Sequence, residues 1–111
     1  MQAEWTNFET FTIAQWLEEA ANKAKWQEMI NYTWSEAEPN EGLSRSEGAR
    51  LEIADLLEQE MYNQRPKLEG IFDELLNSAL QEINYVELAD AMLLSVEGYE
   101  RDPAYIPPPV E

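Results

Sequence analysis

Three short segments of this sequence carry the pattern that starts an α-helix, and each is followed by apolar residues at helical spacing. The segments are Thr6–Glu9, Ser44–Glu47 and Asn84–Glu87. In each, the first side chain can accept a hydrogen bond from a free backbone amide, and the glutamate three residues later can reach back. No segment shows a sustained strand alternation. The sequence therefore predicts an all-α fold, a compact bundle of four to five helices.

The apolar residues after each start signal predict which helix faces are buried. Residues 22–34 form a second helix or a continuation of the first. A third helix runs from Ser44 to about Gln64, a fourth from about Lys67 to Glu82, and a last from Asn84 to about Glu97. Apolar residues at three- and four-residue steps should face the core. The expected core includes Phe8, Phe11, Leu17, Ile53, Leu57, Leu68, Ile71, Phe72, Leu75, Leu88 and Leu93.

The domain organisation follows from the length and from the position of the prolines. The chain has 111 residues, which suffice for one domain. We assign residues 1–98 to a single acidic helical domain. Residues 99–111 hold four prolines and cannot continue a helix, so they are predicted to form an extended Pro-rich tail. The tail is either a loose end or a docking peptide.

Charge is the property of this chain that departs furthest from the ordinary. There are 23 acidic and 7 basic residues, giving a net charge of -16, and no Lys or Arg between Leu68 and Glu100. A polyanion repels nucleic acids and anionic membranes. It is attracted to basic surfaces, and large basic surfaces commonly bind nucleic acid. The sequence therefore predicts a basic nucleic-acid-binding protein as partner, with no direct binding to nucleic acid or membrane. Adaptation to high salt, or simple solubility, is the alternative explanation.

Carboxylates at helical spacing predict a partner-binding acidic face. Side chains three or four residues apart on a helix stand ~5–6 Å apart. Successive phosphates of one DNA strand rise about 3.4 Å along the axis and lie a somewhat longer distance apart through space. A row of carboxylates can therefore approximate a row of phosphates. The ordinary alternative is the polar face that any amphipathic helix carries. The candidate residues are Glu47, Glu52, Asp55, Glu58, Glu69, Asp73, Glu74, Glu87 and Asp90.

Signals for catalysis and metal binding are weak. The chain has no His and no Cys, which removes the commonest general base, the thiol nucleophile and the commonest zinc ligands. Its glycines are isolated, so no phosphate-binding loop is indicated. We predict no enzyme activity, no catalytic residues, no metal and no cofactor. The N-terminal residues lack a signal-peptide pattern, so the protein is expected in the cytoplasm of the host cell.

Two blocks of the sequence resemble small acidic proteins of phages and mobile elements. Residues 5–16 read W-x-N-x-E-T-x-x-x-A-x-W, which resembles the N-terminal signature of ArdA-type antirestriction proteins. Residues 75–93 are similar to a C-terminal pattern in phage proteins of about this length. After Trp16 the chain departs from the first pattern. ArdA proteins are longer DNA mimics that occupy the DNA-binding groove of restriction enzymes, so the resemblance implies a role against host defence and no catalytic residue.

Three classes of function follow from these features. The first is a non-enzymatic, phage-type inhibitor of a restriction or CRISPR effector that blocks the nucleic-acid-binding groove as a DNA mimic. The second is a phage adaptor that binds another host protein through an apolar surface or the Pro-rich tail. The third is a structural protein whose Trp-rich N-terminal helices pair in a homodimer. Salt separates the first two, because it screens charge contacts and leaves apolar contacts intact.

Overall fold

The structure is a computed structural model that describes residues 5–40 and 42–101. It contains five helices: α1 (Phe8–Glu18), α2 (Ala20–Glu36), α3 (Arg45–Gln64), α4 (Ile71–Glu82) and α5 (Tyr85–Leu93). In these two ranges, the only strand-like pairing is one isolated bridge between Asn40 and Leu43. The predicted compact all-α bundle is confirmed. Residues 102–111, most of the predicted tail, lie outside the described residues.

Two of the predicted start signals cap their helices. The Ser44 hydroxyl accepts a hydrogen bond from the Glu47 amide at 3.1 Å, and the Asn84 side chain accepts one from the Glu87 amide at 3.0 Å. Each cap satisfies an amide that has no partner within its helix, and a cap of this kind typically contributes about 1 kcal/mol. These contacts fix where α3 and α5 begin.

The first helix is capped one residue later than the sequence predicts. The Asn7 side chain, not that of Thr6, accepts the hydrogen bond from the Thr10 amide, at 2.8 Å. Asn7 has an extended backbone, as an N-cap residue should. The predicted segment is therefore correct as a helix start, but its capping residue is wrong.

The boundaries of α4 and α5 differ from the prediction for backbone reasons. α4 begins at Ile71 rather than Lys67, because Gly70 adopts a positive φ of 64° that a right-handed helix excludes. α5 ends at Leu93 rather than Glu97. Beyond Leu93 the chain continues in tight turns, with hydrogen bonds between residues three apart.

The core lies chiefly between α3 and α5. Ile53 and Leu57 of α3 and Leu88 and Leu93 of α5 are almost fully shielded from solvent. Burying such a side chain stabilises the fold by about 1.5–3 kcal/mol. Trp26, Ile30 and Trp34 of α2 are buried in the same cluster.

Part of the predicted core is exposed. Phe8, Ile71, Phe72 and Leu75 were expected inside, yet each is more than half exposed. The cause is the position of α4, which packs mainly against α1 and buries only Leu80 fully. The rest of its apolar stripe is left on the surface.

Contacts of the helical domain extend past Gly98 into the segment predicted as tail. Tyr99 is buried, with its ring edge-on to Trp34 at a centroid distance of 5.6 Å. The Arg45 guanidinium lies 3.9 Å from the centroid of the Trp34 ring. Arg101 forms an ion pair with Asp90 on α5.

Candidate partner-binding surface

Acidic side chains from two helices border an open groove. Asp55 and Glu58 line it from α3, and Glu82 lines it from the end of α4. All three residues are exposed. The space between them is about 580 Å³. We call this feature, defined by Asp55, Glu58 and Glu82, the acidic groove; Glu52 is exposed on the preceding turn of α3.

The floor of the acidic groove is partly apolar. Leu51 and Val86 contribute exposed aliphatic surface, and the uncharged polar residues Thr6, Asn7 and Asn84 also line the groove. Every charged residue among those that line the groove is acidic. A long basic side chain suits this lining, because its aliphatic stem can cover apolar surface while its charged end meets carboxylates.

A hydrogen-bond network holds one wall of the groove in place. The Asn7 side-chain amide donates to the Glu82 carbonyl at 2.6 Å. The Thr10 hydroxyl donates to the Asn7 side chain at 2.7 Å and accepts from the Asn84 amide at 2.9 Å. These bonds tie the start of α1 to the junction of α4 and α5. Residues of the sequence blocks 5–16 and 75–93 therefore meet in space.

The strength of this network can be measured at Thr10, which is fully buried. Thr10→Val keeps the shape of the side chain but leaves the Asn84 amide without an acceptor. We expect the free energy of unfolding to fall by about 1–3 kcal/mol, as measured by urea denaturation. The matched control is Thr12→Val, because the exposed Thr12 hydroxyl bonds only to the Phe8 carbonyl of its own helix. Equal losses in both variants would contradict the role of the network.

Two of the predicted acidic residues do not belong to an exposed face. Glu87 is buried, and its carboxylate accepts from the Thr6 amide at 3.2 Å. Asp90 is only 2% exposed and is bound by the side chains of Tyr99 and Arg101. The prediction that Glu87 and Asp90 form part of the surface is therefore wrong, because both point into the interior of the fold.

The other predicted acids lie away from the groove. Glu47 is half-buried in the first turn of α3. Glu69 and Glu74 are exposed before and at the start of α4, and Asp73 is half-buried there and accepts from the Asn77 side chain at 3.3 Å. None of these four lines the acidic groove. The structure thus brings together Asp55 and Glu58 but not the full predicted set.

Glu82 is the groove residue that the sequence did not single out. It closes α4, and nothing in its local spacing marks it as a neighbour of α3. It lines the same groove as Asp55 and Glu58, and its backbone carbonyl accepts the hydrogen bond from Asn7.

A further carboxylate on α3 is held in its charged form. Glu60 accepts hydrogen bonds from Gln64 and, at 3.2 Å, from the Lys25 ammonium of α2. The Gln64 hydrogen bond, followed by the Lys25 contact, lowers the pKa of Glu60. This ion pair links α2 to α3.

Two kinds of site are missing from the part of the chain that the structure describes. Within 5–40 and 42–101, no group of three or more acidic residues is placed to hold a metal ion. None of the helices in these ranges combines the length and apolar content needed to cross a bilayer.

Comparison with protein-family models, curated proteins and solved structures finds no match to this chain. The resemblance to ArdA-type proteins stays a prediction from the residues quoted above.

Proposed function

We propose that this protein is a non-enzymatic inhibitor of a host defence nuclease, a restriction or CRISPR effector. It acts as an acidic mimic of DNA and blocks the basic groove in which the effector binds nucleic acid. The observation that carries the proposal is the acidic groove, where Asp55, Glu58 and Glu82 present exposed carboxylates from two helices with no basic residue in the lining.

The use of the basic residues supports this proposal. Six of the seven make ion pairs, hydrogen bonds or aromatic contacts within the chain, and Arg50 is almost completely buried. Lys23, Lys25 and Arg101 stay 61%, 51% and 47% exposed, but none of the six lines the acidic groove. The six are Lys23, Lys25, Arg45, Arg50, Arg65 and Arg101.

The strength of such an inhibitor comes from many charges together. A single exposed ion pair contributes only about 0–1 kcal/mol, so no one carboxylate should be decisive. The field of a chain with net charge -16 accelerates association with a basic groove and is screened by salt. Arg and Lys side chains of the effector, which otherwise contact phosphates, would bind the acidic groove. A phage or mobile-element origin fits this role.

The test is an inhibition assay with a purified restriction enzyme and a DNA-targeting CRISPR effector. DNA binding and cleavage are measured with increasing amounts of this protein and at several salt concentrations. We expect inhibition of one of the effectors, and we expect Asp55→Lys/Glu58→Lys/Glu82→Lys to raise the inhibitory concentration by at least about tenfold, or 1.4 kcal/mol.

The matched control reverses three exposed acids elsewhere, as Glu28→Lys/Glu36→Lys/Glu38→Lys. Both triple variants change the net charge equally, so the comparison isolates the position of the charges. Inhibition that survives reversal in the groove would contradict the proposed mechanism. Equal weakening by both sets would show that the overall charge acts and the groove does not.

One observation favours the alternative function, a phage adaptor that binds another host protein through an apolar surface. The exposed side chains of Ile71, Phe72 and Leu75 are more than the few scattered apolar residues of an ordinary surface. Binding of this kind would persist at high salt. The Pro-rich tail, the other route proposed for an adaptor, falls mostly outside the described residues.

A further inference from the structure

The N-terminal half of α4 presents an apolar face to solvent. Ile71, Phe72 and Leu75 are 60%, 68% and 59% exposed. They lie on one side of the helix, because positions 71 and 75 are four residues apart and positions 72 and 75 three. We call these three residues the α4 apolar face.

This face continues toward a groove between α1 and α4. Phe8, itself 59% exposed, lines the groove together with Ile13, Leu76 and Ala79. The space is about 360 Å³. Leu76 and Ala79 follow Phe72 by one and two turns of the same helix. A strip of apolar surface flanking a shallow groove is the form of site into which an amphipathic helix packs.

Charge decides which kind of helix fits. Glu9 lines the groove and Glu74 precedes Leu75 on α4, whereas no Lys or Arg is among the residues that line the groove. A second copy of the chain would bring the same acidic border, and a further net charge of -16, against this one. Like charges in such a pairing repel, so a cationic occupant is favoured over self-association.

We propose that the α4 apolar face and the adjoining groove bind an amphipathic helix of a partner protein, with apolar side chains flanked by Lys and Arg. The apolar residues named above for this site do not line the acidic groove. Its existence does not depend on inhibition of a nuclease.

The test uses a displayed library of short helical peptides. Leu, Ile or Phe is fixed at positions i, i+3, i+4 and i+7, and the remaining positions vary among Lys, Gln and Glu. Selection against the full chain at moderate ionic strength, where charge contacts are only partly screened, should enrich peptides of net positive charge. The affinity of one enriched peptide is then measured by fluorescence anisotropy.

Two variants locate the binding site of that peptide. Phe72→Gln/Leu75→Gln should weaken binding at least tenfold, and Leu94→Gln, a change at another exposed leucine, should leave it unchanged. Because the replaced side chains are exposed, both variants should fold, which circular dichroism checks. The triple reversal in the acidic groove should leave most of the affinity intact, which separates this site from the proposed inhibitor surface.

Several results would overturn the proposal. Binding that is equally strong in Phe72→Gln/Leu75→Gln would mean that the peptide binds by charge alone. Enrichment of neutral or acidic peptides, or of no peptide, would contradict the proposal that the partner helix is cationic. If sedimentation shows that the unmodified chain is a dimer and that Phe72→Gln/Leu75→Gln abolishes the dimer, a second copy of the chain is the occupant of the site. Binding to phosphatidylcholine vesicles that depends on Phe72 and Leu75 would make it a lipid surface.

Discussion

Asp90→Ala is expected to lower the free energy of unfolding by about 3–5 kcal/mol, the loss typical when one partner of a buried charge network is removed. The Asp90 carboxylate accepts from the Tyr99 hydroxyl at 2.7 Å and from the Arg101 guanidinium at 2.6 Å. Arg50, which is 4% exposed, donates to the same Tyr99 hydroxyl at 3.0 Å. Without Asp90 the Tyr99 hydroxyl loses its acceptor, and the buried charge of Arg50 loses a nearby opposite charge.

The measurement is urea denaturation of three variants. Asp55→Ala is the matched control, because Asp55 is also a helical aspartate but is exposed; its effect should stay within about 0.5 kcal/mol. The loss in the free energy of unfolding for Asp90→Asn should lie between those of Asp90→Ala and Asp55→Ala, since Asn keeps an acceptor oxygen and removes the charge. A loss for Asp90→Ala no larger than that for Asp55→Ala would contradict the buried network.

The comparison of Asp55 with Asp90 also shows that helical spacing does not predict whether an acidic side chain is exposed. Both are acids on amphipathic helices, and both were predicted as candidates for the partner-binding acidic face. What separates them is the contact of Asp90 with Tyr99 and Arg101, residues that the sequence assigned to a tail. Neutralisation of a carboxylate by distant partners leaves no local signal in the sequence.

Local features were predicted well, and tertiary ones were not. The helix starts at Ser44 and Asn84 follow from caps within four residues of sequence, so they could be read directly. The sequence also predicts correctly that the apolar residues of α4 lie along one side of the helix. Whether Phe72 is covered depends on what packs against α4, and periodicity does not contain that information. The acidic groove likewise depends on the tertiary fold, which places Glu82 of α4 in one lining with Asp55 and Glu58 of α3.

Raising the pH from 10 to 12 should remove up to about 5 kcal/mol of stability through two buried tyrosines. Burial raises the pKa of Tyr85 to about 12. Burial, together with the hydrogen bond to Asp90, raises the pKa of Tyr99 to about 12. In the unfolded chain both should titrate near 10. Between these values the folded state keeps protons that the unfolded state has lost, so the free energy of unfolding falls as pH rises.

Each tyrosine accounts for about half of this fall; its contribution is present in full below pH 10 and is lost as the pH rises to about 12. The free energy of unfolding is measured by urea denaturation at intervals of pH. Tyr85→Phe and Tyr99→Phe should each reduce the fall in the free energy of unfolding between pH 10 and 12 by roughly half. Tyr32→Phe, at an exposed tyrosine, should leave this fall unchanged. Tyr85→Phe also loses the 3.2 Å bond to the Leu80 carbonyl, so it should start from a lower stability at neutral pH. An unchanged slope in both buried variants would mean that other groups, such as the lysines, drive the alkaline unfolding.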